Sequence, residues 1–388
     1  MPVLFLTGAT GLVGRELLKL FLASRPELRV VVLCRRTADM ASLALEPRIT
    51  ALQGDVTQPL LGLDRHSVSL LQSSLTEVIH CAADTRFGLP LEAARAVNVR
   101  GTQHVIALAR ACPRLEKFAQ LSTVYVAGLR PGFFQERPLS SPQDFCNTYQ
   151  QSKYEAERLV VEAMGQLPAM MFRLSSILGD SSTGRVDQFN HLHRLLRLVP
   201  RNVLPILPAD PSAPVDLIPL DWAIPAVAAL FQRSFLPGGI YQVCAGKDES
   251  LTVRQMIDLT VELFACHPLG TRLGPIRVPD LVSLSEYDEY VKRQMRGKDL
   301  LLKEILRALG CFLPHLGVFQ AFDNRHVRES LSANGPMLPS MRDCYTKVVR
   351  YCLETNWGRG SPPGPSAISC PGSHAASNNA EGDKPPKS

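Results

Sequence analysis

The sequence predicts an α/β fold: a doubly wound parallel sheet followed by a smaller, mixed C-terminal lobe. Three observations carry this. Short continuous apolar runs alternate with amphipathic helical stretches through the first 180 residues, as in sheets whose strands are buried on both faces. The first run ends in Thr7-Gly8-Ala9-Thr10-Gly11-Leu12-Val13-Gly14 and passes at once into a helical pattern. Near residue 180 the composition turns basic and proline-rich. Strand, glycine turn and helix in that order open a Rossmann-type nucleotide fold. We therefore divide the chain into a nucleotide-binding part, 1–180, and a substrate lobe, 181–357, interleaved with late sheet elements. A tail, 358–388, is too poor in apolar residues to order itself.

Taken in order, Val3–Thr7 is the first strand, and Leu17, Leu18, Phe21 and Leu22 mark the apolar face of the helix that follows. Gly8 permits the tight turn, Gly11 lets a pyrophosphate approach the backbone, and Gly14 lets helix and sheet pack closely. Arg29–Cys34 is the second strand, with Arg35 and Arg36 directly after it and no acid before Asp39. An arginine there accommodates the 2′-phosphate of NADPH, whereas NADH calls for an acid. Ile49–Gln53 is the third strand. Asp55 follows, placed either to bond an adenine amino group or to cap the next turn. Glu77–Ala83 holds the fourth strand and its turn, where the small Ala82 and Ala83 allow close approach. His80 reads as a packed strand residue.

A long helix is expected over Leu91–Cys112. Asn98 inside it is mildly unfavourable and points to a local hydrogen-bonding role. Lys117–Ser122 is the fifth strand, which leaves Thr123 at a carboxyl end, where open α/β sheets place ligands. A loop from Gly128 to Pro142 borders the site. Met170–Leu174 is the sixth strand. Asp187–Arg201 reads as a basic amphipathic helix, either a surface helix of the lobe or a contact for an anionic acyl carrier or a membrane surface. Pro205, Pro208, Pro211 and Pro214 read as loop. Gly239–Val243 is a late strand, and 283–357 reads as helical.

Asn147-Thr148-Tyr149-Gln150-Gln151-Ser152-Lys153 opens a further helix, with Asn147 or Thr148 as its cap. Tyr149 and Lys153 share one face, four residues apart. An ammonium beside a phenol favours the phenolate and lowers its pKa, so the pair is a candidate general acid/base.

Hydrophobic residues make up 45% and charged residues 20% of the chain, the range of a globular protein. The net charge of +6 suits an anionic ligand. No basic tract interleaved with aromatics points to nucleic acid. The ten cysteines are scattered, without a CxxC or metal spacing. Cys34 and Cys81 read as buried thiols, and a reducing, cytoplasmic setting is expected. Neither a signal-like N-terminus nor an 18-residue apolar run is found.

The glycine motif, Asp55, Thr123, Tyr149 and Lys153 together resemble an extended short-chain dehydrogenase/reductase. Within that superfamily, Leu121-Ser122-Thr123, the Asn147–Lys153 run, Val215–Asp221 and Ala321-Phe322-Asp323-Asn324 are most similar to the thioester reductase and fatty acyl-CoA reductase (male-sterility-like) branch. The resemblance spans roughly residues 1 to 355. It implies an NADPH site of Gly8, Thr10, Gly11, Leu12, Val13 and Gly14 at the pyrophosphate, Arg35 at the 2′-phosphate, and Asp55 with Val56 at the adenine. Ala82 and Ala83 lie along the cofactor. Thr123, Tyr149 and Lys153 are the implied catalytic set, Tyr149 and Lys153 also touching the cofactor. The implied substrate is an acyl-CoA or a group on an acyl carrier protein, arriving from outside because no carrier or adenylation region is recognisable. The product is an aldehyde or an alcohol. The family also implies pairing of two copies through the Tyr149 helix. Leu174 after Arg173 departs from a family that often has proline there.

The alternatives are a nucleotide-sugar epimerase or dehydratase, a hydroxysteroid-type dehydrogenase, and a non-catalytic NADP-binding protein. Dehydration needs an acid–base pair beside Thr123, where Val124 and Tyr125 stand instead.

Overall fold

A computed structural model describes residues 1–43, 45–140, 144–268, 275–332 and 335–359. Seven parallel strands form its central sheet: β1 Val3–Thr7, β2 Arg29–Cys34, β3 Ile49–Gln53, β4 Glu77–His80, β5 Lys117–Thr123, β6 Ala169–Leu174 and β7 Ile240–Val243. Their spatial order is β7-β6-β5-β4-β1-β2-β3. The order reverses between β1 and β4, where Phe5 pairs with Val31 on one side and Val78 on the other. Loops leaving the carboxyl ends diverge at that point and open a crevice. β4 and β6 are buried along their whole length, and the charged residues within them are paired, Glu77 with Arg25 and Arg173 with Glu157.

Two apolar layers cover the sheet. On one face, helix Leu12–Ser24 buries Leu17, Leu18 and Phe21 against helix Leu220–Arg233, with Phe21 and Phe231 rings 6.0 Å apart. On the other face lie Val68, Leu71, Val105, Ile106 and Val160. Each such side chain contributes on the order of 1.5–3 kcal/mol on burial. A third cluster, including Leu207, Tyr287, Leu306, Leu309 and Phe312, forms the core of the lobe.

The structure corrects several expectations. The helix expected over 91–112 runs unbroken from Leu91 to Arg110, but with a π-helical turn, Ala96–Arg100, between Leu91–Arg95 and Gly101–Arg110. Asn98 sits in that turn, and its bonds reach beyond its own helix, to Asp84 and Ser152. Gly132–Phe134, expected as loop, pairs in parallel with Gln320–Phe322, which falls in the stretch expected to be helical. The prolines at 208 and 214 lie in two short strands, Ile206–Pro208 and Pro214–Val215. Pairing partners far away in sequence decide all three.

Asp187–Arg201 contains one six-residue helix, His191–Leu196, with Leu192, Leu195 and Leu196 buried. His193 is buried too, bonded to Asn190 N and Leu178 O. The apolar face of this segment is spent on the core, which favours the surface-helix alternative over a membrane- or carrier-contacting face. The tail expected from residue 358 lies, beyond Arg359, outside the described residues.

Candidate active site

Above the carboxyl ends of the strands lies a cavity of about 1210 Å³. Its floor begins at the glycine turn. Gly8 has φ +73°, and a Cβ on it would stand 2.6 Å from Ala82 N. A Cβ on Gly14 would stand 2.2 Å from Gly8 O. Gly14 is buried and packs under the turn, so it is a packing glycine and not the pyrophosphate-lining residue expected. Gly11 differs from both: it is exposed in the cavity wall, and its nearest neighbour would be 3.4 Å away. The helix that starts at Leu12 has no side-chain cap and no acid in its first turn. The first-turn N–H groups of a helix lack intrahelical partners, so this end suits a pyrophosphate.

Thr10, Leu12, Val13, Arg35, Asp55, Val56, Ala82 and Ala83 all line the same cavity. Arg35 and Arg36 both line the cavity; Arg36 is clasped by Asp39 through two bonds of 2.9 Å, while Arg35 also lies beside Gly54 and Asp55. Asp55 accepts from Thr57 N at 2.8 Å; that bond uses one carboxylate oxygen, so the capping alternative is realised without closing the adenine one. These residues fit a dinucleotide.

Tyr149 and Lys153 project from helix Thr148–Ala163. Asn147 caps it, accepting from Gln150 N at 2.9 Å. The Tyr149 hydroxyl bonds to Thr123. Thr123 is buried at the end of β5 and lines the cavity with Tyr149 and Lys153, so the three expected catalytic residues converge. Their electrostatics differ from expectation. Burial pushes the Tyr149 phenol above its ordinary value, and the bond from Thr123 only partly offsets this. Lys153 does not bond the phenol; its Nζ donates to Leu121 O at 2.7 Å. Burial lowers Lys153 to about 8, against the attraction of Glu157. Desolvation thus outweighs the charge–phenol attraction that the spacing alone suggested. His80 is buried between Thr7 and Thr102, and burial lowers it to about 3. It is a packed, neutral strand residue, as expected. Cys34 is buried and Cys81 only half-buried, at the cavity wall.

Further groups went unread in the sequence. Glu157, one turn beyond Lys153, receives Ser122 Oγ at 2.6 Å and Arg173 at 2.8–3.2 Å. Helical spacing from Lys153 was a signal for it. Tyr125 Oη bonds Ser176 Oγ at 2.9 Å at the cavity wall. The roof is aromatic: Phe87 stacks on Tyr149 at 5.6 Å and on His191 at 3.9 Å, and His191 on Phe312 at 6.1 Å. Thr148 Oγ1 ties the Phe87 loop down through Leu89 O at 2.9 Å. Nothing in the linear sequence brings rings 87, 191 and 312 together. Among the described residues there is no cluster able to hold a metal ion.

The family model described as male sterility protein matches residues 6–227. A non-canonical nonribosomal peptide synthetase of Aspergillus campestris is 27% identical over 273 residues, 62% of this chain and 25% of the synthetase. Fatty acyl-CoA reductase 1 of Xenopus laevis is 28% identical over 274 residues, 56% of this chain and 52% of the reductase. The chain thus spans about half or less of the length of these relatives. Among solved structures, the terminal R domain of the myxalamid PKS-NRPS pathway superposes with a TM-score of 0.73 at 25% identity, covering 93% of this chain and 92% of that one.

Proposed function

The chain belongs to the male sterility protein family; on that premise we propose that it is an NAD(P)-dependent oxidoreductase of the extended short-chain dehydrogenase/reductase type that reduces acyl thioesters, as CoA esters or on a carrier protein, with NADPH. The observation that carries this is the convergence of the bonded Thr123 and Tyr149 hydroxyls with Lys153 in one cavity with the glycine turn. The names of the relatives, a fatty acyl-CoA reductase and a peptide synthetase, support the thioester class.

NADPH, when bound, supplies the hydride. The residues of this chain do the rest. Arg35 would hold the 2′-phosphate and Lys153 the ribose. Thr123 and Tyr149 donate hydrogen bonds to the oxyanion as it develops on the acyl carbon, a contribution typically worth 10²–10³ in rate per donor. Tyr149 then gives up its proton. A phenol is protonated at neutral pH and burial raises the pKa of this one further, so it carries the proton that an acid in the direction of reduction must give. The resulting hemithioacetal collapses to aldehyde and free thiol. A second round would give the alcohol. The exposed side of the Tyr149 helix is the surface through which two copies would pair.

NADPH oxidation followed with acyl-CoAs, acyl carrier thioesters, fatty aldehydes, hydroxysteroids and UDP-sugars tests this. The expected result is cofactor consumption with a thioester and release of aldehyde or alcohol. Turnover confined to a hydroxysteroid or UDP-sugar would overturn the thioester assignment and leave the hydride chemistry in place.

A further inference from the structure

Two helices of the lobe, Leu284–Arg296 and Leu300–Gly310, meet in a short connection. Arg296, Gly297, Lys298, Asp299, Leu300 and Leu301 are six exposed residues in succession, so the connection is a protruding tip. Leu300 is 73% and Leu301 59% exposed, two adjacent large apolar side chains facing water.

Charge is sorted along the first helix. Glu286, Asp288 and Glu289 lie toward its start, while Lys292, Arg293 and Arg296 lie toward the tip, and Lys298 and Lys303 continue the positive end, with the exposed Glu304 just beyond Lys303. The one acid at the tip, Asp299, is engaged in capping: it accepts from Leu302 N at 2.9 Å. The second helix runs about 16 Å from the tip at 1.5 Å per residue. Its far end, with Arg307, Ala308, Cys311 and Phe312, lines the cavity mouth.

We propose that this tip docks on an anionic lipid surface, Leu300 and Leu301 entering the headgroup boundary while Arg296, Lys298 and Lys303 pair with lipid phosphates. Apolar residues ringed by lysine and arginine are what interfacial binding requires. The shape selects lipid over protein. A convex tip needs a groove in a protein partner, whereas a fluid surface yields around it. The docking would set the cavity mouth one helix length from the bilayer, within reach of membrane-held acyl groups. This inference stands on the surface itself and does not depend on the reductase reading.

The test is flotation of the full chain with vesicles of phosphatidylcholine alone and with phosphatidylserine added. Binding is expected to the anionic vesicles and to fall with salt. R296Q/K298Q should lower the partition coefficient about thirtyfold, because each basic residue near such a surface contributes about 1 kcal/mol. L300S/L301S should weaken binding while keeping its salt dependence. Both pairs are exposed, and unchanged NADPH binding by the variants reports that they fold. Failure to float with either vesicle, or flotation untouched by both variants, would overturn the proposal. Capture of an acyl carrier protein that both variants abolish, without vesicle binding, would overturn it in favour of a protein partner.

Discussion

The floor of the cavity is held by hydrogen bonds and its roof by rings. Beneath Tyr149, Lys153 is fixed on Leu121 O, Glu157 on Ser122 and Arg173, and Ser152 on Asn98. All of these side chains are buried. Above it, Phe87, His191 and Phe312 meet face to face, and Arg194 and Arg307 stand exposed at the mouth. Directional bonds between buried groups define one geometry, because any other leaves a polar atom unpaired. Ring stacks tolerate sliding and exchange. On the proposed function this is a division of labour: the floor would place reacting groups, and the roof would shape what enters.

The contrast can be broken most severely at the floor. Tyr149→Phe is expected to lower kcat by 10²–10⁴, the usual contribution of a positioned acid, with NADPH affinity unchanged by fluorescence titration. Activity within tenfold of the parent would remove Tyr149 from the chemistry. Next comes the support behind it. Glu157→Ala leaves the Arg173 guanidinium buried and unpaired, and urea denaturation should show a loss of about 3–5 kcal/mol. A loss under about 1 kcal/mol would mean that the floor is not held in this way.

A pH profile sharpens the same point. Lys153 is lowered to about 8, so its charge is present below that pH and lost above it. The activity that depends on it should fall as pH rises through about 8. Lys153→Arg should carry activity to higher pH, and Glu157→Gln should move the fall lower, because Glu157 favours the charged amine. A profile flat to pH 10 would contradict the assignment. At the edge of the floor, Arg35→Ala should cut the preference for NADPH over NADH about ten- to a hundredfold, the scale of one bond to a charged group. Unchanged selectivity would move the phosphate elsewhere. The roof should give the smallest change: Phe312→Ala raises KM about tenfold with kcat retained, as for loss of apolar contact in a pocket.

Most of the sheet was legible because its strands are buried on both faces and the turn after β1 must accept a phosphate. Those demands write themselves locally, as apolar runs, glycines and a Tyr/Lys pair at one helical turn. What stayed hidden depends on partners distant in the chain. Gly132–Phe134 becomes a strand only beside Gln320–Phe322, and Asn98 finds its purpose only at Ser152. The same holds for protonation. The sequence by itself determined which residues carry the chemistry proposed here, since residue type and spacing set which groups can meet. Tertiary structure alone decided their electrostatics. It buries Tyr149 and Lys153 deeply enough that desolvation raises the phenol and lowers the amine, and burial is a property of the surroundings that no local spacing encodes.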